Sequence, residues 1–265
     1  MHSSHNSSAA ASLTSVLAAV RSLQHHRPAR ESSKTFWIEG VRQFMQAADA
    51  GFTFDTILHS RLLLKSSLVR HAIERLATHG ASHVRVSPEQ FRAISVTEHA
   101  SGIGAIVRQK WTPLHQADAS RGLCWLVLES VRSAGNLGTV LRTAEATGVA
   151  GVIFLDHTCD PYNLPVVRAS MGGIFHLQLI RTTHGHLRRW ANHQRVKLLA
   201  LTPHGDELWA TADAGAAPPP PVASPLAVLI GEERQGLSAR ALAMSDEKIR
   251  LPMTGLYPVA SSGGR

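Results

Sequence analysis

Cysteine is scarce in this chain, which holds only Cys124 and Cys159. Both lie beside apolar runs that are typical of strands, so we expect two buried thiols and no disulfide, as in proteins of the reducing cytoplasm. The spacing Cys-x-x-Cys is absent, which excludes a cysteine zinc site. The histidine pairs at positions 25–26 and 184–186 are weak metal candidates, and we expect surface histidines and no metal there.

Long apolar runs and early acidic residues are also missing. No segment is long enough to cross a bilayer, which predicts a soluble, cytoplasmic protein. The first acid is Glu31, and an acid-free, Ser- and Ala-rich start is typical of a transit peptide. However, Val16, Val20 and Leu23 recur at helical spacing, together with Leu13 and Leu17. We therefore interpret residues 1–33 as a disordered tip and a short amphipathic helix, with an organelle address as the alternative.

Positive charge is in excess: 27 Lys and Arg stand against 19 Asp and Glu, and the net charge is +8. Contacts between basic side chains and phosphates release condensed counterions, so nucleic acid is the first partner to consider. A merely basic soluble protein is an equally open interpretation.

The pattern of apolar residues predicts two α/β units, and the length of 265 residues can support two cores. The first unit covers residues 34–113, and residues 108–121 form a polar linker. Ser87 followed by Pro88 predicts the start of a helix. Alternating elements are expected in this unit as strands at 36–40, 56–58, 84–86 and 102–107 and helices at 41–50, 68–78 and 88–94.

The second unit covers residues 121–265. Several of its strands are almost entirely apolar, which favours a parallel sheet covered on both faces. The proline run at 218–221 predicts an exposed loop over 210–225. Strands are expected at 123–128, 152–155, 176–180, 196–201, 226–230 and 248–251.

The densest candidate motif is residues 133–144, directly after a predicted strand. Leu137, Leu141 and Ala144 share one apolar helical face, and Asn136 occupies an N-cap position. Arg142 lies on another face, from which it could reach the carboxyl edge of the sheet, where open α/β folds bind ligands. An ordinary helix cap and a solvated surface charge are the alternatives.

Two further segments combine a strand with a polar turn. In the first, Gly231, Glu232 and Gly236 follow an apolar strand. In the second, Ile249 and Leu251 precede Pro252-Met253. The glycine spacings of dinucleotide-binding and phosphate-binding loops are both absent.

Together these segments resemble the SpoU/TrmH family of SPOUT RNA 2′-O-ribose methyltransferases, over nearly the whole chain. Residues 167–175 are similar to the family's segment between its first two motifs, and the first unit resembles its ribosomal-protein-like substrate-binding domain. The family's first motif, Asn-x-Gly with a following Arg, is matched by Asn136, Gly138 and Arg142. Its second, Gly-x-Glu-x-x-Gly, is matched by Gly231, Glu232 or Glu233, and Gly236. Its third, Ile-Pro-Met, is matched by Leu251, Pro252 and Met253.

The resemblance implies an N-terminal substrate-binding domain and a C-terminal parallel-sheet domain with a trefoil knot, a rare topology. In the family the third motif continues into Ser-Leu-Asn and a final helix used for cofactor contacts, knot closure and dimerisation. Residues 256–265 have neither, so we expect a fold incomplete at that helix. Three alternatives are open: an RNA-binding homologue with impaired catalysis, an unrelated α/β nucleotide enzyme such as a dehydrogenase, and a truncated reading frame.

The resemblance also implies S-adenosylmethionine as cofactor, ribosomal or transfer RNA as substrate, and a homodimer. Arg142 and Asn136 would be catalytic, with Glu232 orienting one of them. Because guanidinium is effectively always protonated, we expect Arg142 to bind a phosphate and not to act as a base. The expected cofactor-binding residues are Leu201, Thr202, Gly231, Gly236, Ile249, Leu251 and Met253. The expected RNA-binding residues are Arg61, Lys65, Arg70, Arg85, Arg92, Arg108, Lys110 and Arg168.

Overall fold

The computed structural model describes residues 12–155, 159–207 and 225–251. It divides the chain into two compact units, the first ending at Gln109 and also including Tyr162–Leu164, the second holding the other residues from Lys110 onward. Both units mix helices and strands, which confirms the predicted α/β class. The predicted disordered tip, most of the loop predicted at 210–225 and the segment after Leu251, where we expect no final helix, lie outside the described residues.

The first unit is a four-stranded sheet with helices packed on it. Its strand order is β1-β4-β2-β3, in which β4 is antiparallel to both neighbours and β2 and β3 are parallel. The strands are β1 (Thr35–Glu39), β2 (Phe54–His59), β3 (Ser82–Arg85) and β4 (Ile103–Arg108). The helices are α1 (Leu13–His25), α2 (Arg27–Ser33), α3 (Val41–Asp49), α4 (Ser67–Thr78) and α5 (Pro88–Arg92).

Two of the predicted helices in this unit form for the expected reasons. The apolar stripe of α1 is buried at Val16, Val20 and Leu23. Ser87 caps α5, since its side chain accepts from the backbone N–H of Gln90 while the Gln90 side chain accepts from the Ser87 N–H.

The second unit is a six-stranded sheet in the order β10-β8-β9-β5-β6-β7, and every recorded pairing is parallel. Its strands are β5 (Trp125–Leu128), β6 (Gly151–Leu155), β7 (Gln178–Thr182), β8 (Lys197–Glu207), β9 (Leu226–Ile230) and β10 (Glu247–Arg250). The helices are α6 (Ala134–Ala146), α7 (Leu164–Ala169), α8 (His184–Gln194) and α9 (Ala239–Met244), with 3-10 turns at Leu114–Gln116 and Gly173–Phe175.

The core of this unit lies around the central strands. All residues of β6 are buried, and Trp125 of β5 packs on Trp190 of α8 with ring centroids 5.9 Å apart. The strand predicted at 176–180 is displaced to Gln178–Thr182, because a 3-10 turn ends with the His176 N–H bonded to Gly173. Since all strands run the same way, their carboxyl ends lie along one edge of the sheet.

No helix among the described residues is long and apolar enough to cross a membrane.

Candidate active site

The first two candidate motifs follow neighbouring strands. Leu128, the last residue of β5, pairs with Ile230, the last residue of β9. The backbone N–H of Glu129 then donates to the Ile230 carbonyl at 2.9 Å, which extends the ladder by one step. The sheet therefore brings the loop after β5 and the loop after β9 together at its carboxyl edge.

Asn136 is not the N-cap of α6, and that prediction is wrong. The cap is Ser133, whose Oγ accepts from the backbone N–H of Asn136 at 3.3 Å. The helix begins earlier than expected because Ala134 and Gly135 already form its first turn. The Asn136 side chain is thereby released from capping, and its Nδ2 donates to Oε1 of Glu233 at 2.8 Å.

Glu233, and not Glu232, is the acidic partner of Asn136, so the prediction that Glu232 orients Asn136 is wrong, while its predicted alternative partner Arg142 has no described contact with it. Glu232 lies instead 3.5 Å from Nε of Arg132. The Gly-x-Glu spacing counted from Gly231 also selects Glu233. Burial acts to raise the pKa of Glu233, but bonds from its own N–H, from Asn136 and from the backbone of Ser133 and Arg132 outweigh burial and lower it.

The loop after β9 is closed on itself. The backbone N–H of Glu232 donates to the Gly236 carbonyl at 3.1 Å, and the Gly236 N–H donates back at 2.9 Å. A Cβ on Gly231 would lie 2.2 Å from the Gly236 carbonyl, so only glycine permits this approach. The glycines of the second motif therefore shape the loop that presents Glu233.

A buried carboxylate that the sequence analysis did not single out anchors the far end of this loop. Glu129 is 6% exposed and accepts three hydrogen bonds. Its Oε2 accepts the Ser238 N–H at 2.8 Å, and its Oε1 accepts the Ser238 hydroxyl at 2.8 Å and His184 Nε2 at 2.6 Å. Burial acts to raise the pKa of Glu129, yet these bonds prevail and lower it. The carboxylate thus ties β5 to the first residues of α9.

The third motif segment begins on β10, which lies at the end of the sheet and is separated from β9 by the strand β8. The pairing of β10 with β8 passes directly from Lys248 opposite Ala200 to Ile249 opposite Asp206. Residues 201–205, which include the predicted Leu201 and Thr202, therefore have no ladder partner in β10, although a Cβ on Gly205 would lie 2.6 Å from the Ile249 backbone. Ile249 is buried and Leu251 is exposed. Met253 lies outside the described residues.

Arg142 is exposed on α6, and none of the described hydrogen bonds or ion pairs involves its side chain. The contacts thus join Asn136 to Glu233 but do not join Arg142 to either. Close packing explains why residue 138 is a glycine, because a Cβ there would lie 2.3 Å from Cβ of Ala169.

The basic residues predicted for RNA binding are all exposed. Arg108 pairs with Asp55 at 3.2 Å, Arg92 lies 3.8 Å from Glu89, and Arg70 donates to the Leu64 carbonyl. The others, spread over both units, are Arg61, Lys65, Arg85, Lys110 and Arg168. No group of three or more His, Cys, Asp or Glu within the described ranges could hold a metal ion.

A parallel sheet with polar loops paired at one carboxyl edge, following a small α/β unit along the chain, defines a two-unit α/β protein with a candidate ligand-binding edge. The model of the SpoU rRNA Methylase family matches residues 124–259, and that of the MRM3-like substrate binding domain matches residues 17–105. The chain therefore belongs to the SpoU rRNA methylase family.

Relatives match over most of their length. The 23S rRNA (uridine(2479)-2′-O)-methyltransferase of Streptomyces viridochromogenes is 25% identical over 89% of this chain and 80% of its own. The 23S rRNA (guanosine(2553)-2′-O)-methyltransferase RlmP of Bacillus subtilis is 26% identical over 87% and 85%. The crystal structure of AdoMet bound rRNA methyltransferase from Sinorhizobium meliloti, 26% identical, covers 93% of this chain and 89% of that one with a TM-score of 0.79.

Proposed function

We propose that this protein transfers the methyl group of S-adenosylmethionine to a ribose 2′-hydroxyl of ribosomal or transfer RNA. The observation that carries the proposal is the Asn136–Glu233 hydrogen bond, which joins the first two motifs of the SpoU family at one sheet edge. Relatives named as 23S rRNA 2′-O-methyltransferases support the reaction, and the AdoMet-bound neighbour supports the cofactor. The alternative of an RNA-binding homologue with impaired catalysis has no such support.

The chain's residues fit S-adenosylmethionine as cofactor. Residues 201–205 of β8 have no partner in the β8–β10 ladder. Backbone N–H and C=O groups without a ladder partner can bond to the edge of an adenine. The closed loop from Gly231 to Gly236 supplies further backbone groups beside it. Leu201, Thr202 and Ile249 would hold the cofactor with these, and the bound cofactor supplies an electrophilic methyl group.

The remaining chemistry is positioning. Glu233, ionised at neutral pH, holds the Asn136 amide in place. Arg142 carries a permanent positive charge on an exposed helix face, where its planar fork suits a phosphate next to the reacting ribose. Fixing that phosphate orients the hydroxyl for in-line attack, and its proton leaves to water or to a phosphate oxygen.

The two units divide the work. In this proposal residues 34–113 bind the RNA and residues 121–265 carry out methyl transfer, in a cytoplasmic homodimer. The match of the first unit to a substrate binding domain supports this division.

A methyl-transfer assay tests the function. The purified chain is incubated with total RNA and S-adenosylmethionine labelled in the methyl group. We expect label in ribosomal or transfer RNA that survives alkaline hydrolysis within a dinucleotide, because a 2′-O-methyl group blocks cleavage at the adjacent phosphate. Label recovered in a base, or no transfer by a chain that calorimetry shows to be unable to bind S-adenosylmethionine, would overturn the proposal.

A further inference from the structure

A second polar cluster lies within the first unit, at the carboxyl ends of β2 and β3. His59 ends β2 and pairs in register with Arg85, the last residue of β3. His83 lies two residues before Arg85 and shares its face of the strand. The rings of His59 and His83 have centroids 6.2 Å apart. Arg61 lies two residues after His59, in the loop after β2.

His59 is the buried member of this cluster. It is 7% exposed, and its Nε2 has no hydrogen-bond partner among the described residues. Buried polar atoms are rarely left unpaired, because an unmet hydrogen bond costs about 1–3 kcal/mol. A water molecule, or a ligand that enters between His59, His83 and Arg85, would complete this hydrogen bond.

The charges around His59 all have the same sign. Burial, then His83, Arg85 and Arg61, lower the pKa of His59. Within the described ranges, neither Arg61 nor Arg85 takes part in an ion pair or a side-chain hydrogen bond. Cations held close together without a carboxylate repel one another, and a bound anion removes that repulsion.

We propose that Arg61, His83 and Arg85, together with the buried His59, bind a backbone phosphate of the RNA substrate. A phosphate offers several acceptor oxygens to the guanidinium forks and to a ring N–H. This site rests on the proposed function for its ligand, and it gives the first unit a defined point of contact.

The test compares full-length variants in filter binding to an in vitro transcript of bacterial 23S ribosomal RNA over a range of KCl concentrations. Arg61→Gln/Arg85→Gln removes the two guanidinium groups. The matched control is Arg75→Gln. Arg75 is exposed in the last turn of α4, about 12 Å along the helix axis from Ser67, the first residue of that helix. We expect the double variant to raise Kd about tenfold or more and to lower the slope of log Kd against log salt by about one, because the contact to one phosphate is lost. The control should leave both unchanged.

His59 is tested separately by conservative rescue. His59→Leu should weaken binding, and His59→Gln, which keeps an N–H donor, should weaken it less. If the buried leucine variant does not fold, the arginine variants still decide the matter. In methyl transfer, the double variant should raise KM with kcat nearly unchanged, since the contact lies outside the reacting groups.

The outcomes separate the site from the function. A double variant with the Kd and salt slope of Arg75→Gln overturns the phosphate site, even if the wild-type chain methylates RNA. A wild-type chain that binds the transcript with the expected salt slope but transfers no methyl group to it or to total RNA overturns the proposed function and leaves the site standing. A wild-type chain that binds neither this transcript nor transfer RNA overturns both.

Discussion

The side-chain amide of Asn136 donates a 2.8 Å hydrogen bond to the carboxylate of Glu233, 97 positions further along the chain. This bond is possible because β5 and β9 are neighbours and parallel, so that the loops after them leave the sheet side by side. It also distinguishes Glu233 from the adjacent Glu232, which lies 3.5 Å from Arg132 instead. The pair Asn136 and Glu233 is thus the link between the two motif loops.

That link predicts a large difference between substitutions at two adjacent positions. Glu233→Gln replaces an ionised acceptor by a neutral amide, and we expect the rate of methyl transfer to fall by about 100-fold as Asn136 loses its fixed position. Glu232→Gln, the matched control, should reduce the rate by no more than about threefold. Single-turnover assays on 23S ribosomal RNA measure both rates. Equal losses in the two variants would show that the bond to Asn136 is not what matters.

The three hydrogen bonds to Glu129 predict a stability effect. Glu129→Gln places an NH₂ group where the carboxylate now accepts only, so at least one buried donor of Ser238 or His184 loses its acceptor. We expect the free energy of unfolding at neutral pH to fall by about 2–3 kcal/mol. The exposed Glu145→Gln on α6 is the control, with a change below about 0.5 kcal/mol. Urea denaturation provides the values, and a Glu129→Gln chain as stable as the control would contradict this account.

The lowered pKa of Glu129 predicts how the stability difference between wild type and Glu129→Gln depends on pH. The pKa of Glu129 is lower in the folded chain than the ordinary value, so its stabilising contribution is present above the unfolded pKa and is lost as pH falls through the folded pKa. The gap in unfolding free energy between wild type and Glu129→Gln should therefore be constant near neutrality and narrow in acid, below about pH 4.5. Urea denaturation at stepped pH values follows the gap. A difference in unfolding free energy that widens in acid would mean that folding raises the pKa of Glu129, contrary to this prediction.

Much of the fold follows from local patterns. The wholly apolar β6 indicates a strand buried on both faces, and Ser87 with Gln90 carries the complete signal of a capped helix. The start of α6 shows the limit of such patterns. Ser133 and Asn136 are both good N-caps, and only the folded backbone selects the serine.

The site is less accessible to sequence analysis because its contacts span long stretches of chain. Glu129 bonds to His184 and Ser238, which are 55 and 109 positions away. Nothing near Glu129 in the sequence distinguishes a buried acceptor from a charged loop tip. Its one local signal is an acid directly after an apolar strand, and the importance of that signal depends on which strand becomes its neighbour.

Arg142 tests the proposed positioning of the RNA. Arg142→Lys keeps the positive charge but loses the planar fork that bonds a phosphate through two N–H groups. We expect kcat to fall by about 100-fold while Kd for RNA changes by less than about threefold. Arg132→Lys, an exposed arginine whose side chain is 74% accessible, is the control and should keep both values. Turnover equal to wild type in Arg142→Lys would remove this arginine from the mechanism.

Two glycines of α6 should respond in opposite directions to the same substitution. A Cβ on Gly138 would lie 2.3 Å from Cβ of Ala169 and 3.0 Å from the Val166 carbonyl, whereas a Cβ on Gly135 meets nothing nearer than Ser133 Oγ at 3.9 Å. Gly138→Ala forces α6 away from α7, and we expect a loss of about 1–3 kcal/mol in unfolding free energy. Gly135→Ala has room and should gain about 0.5 kcal/mol, because alanine restricts the unfolded chain and favours the helix. Urea denaturation of the two variants side by side isolates the close approach of the helices, since the chemical change is identical. A stabilising Gly138→Ala would mean that α6 and α7 separate at little cost, and the family's Asn-x-Gly spacing would then need a reason other than packing.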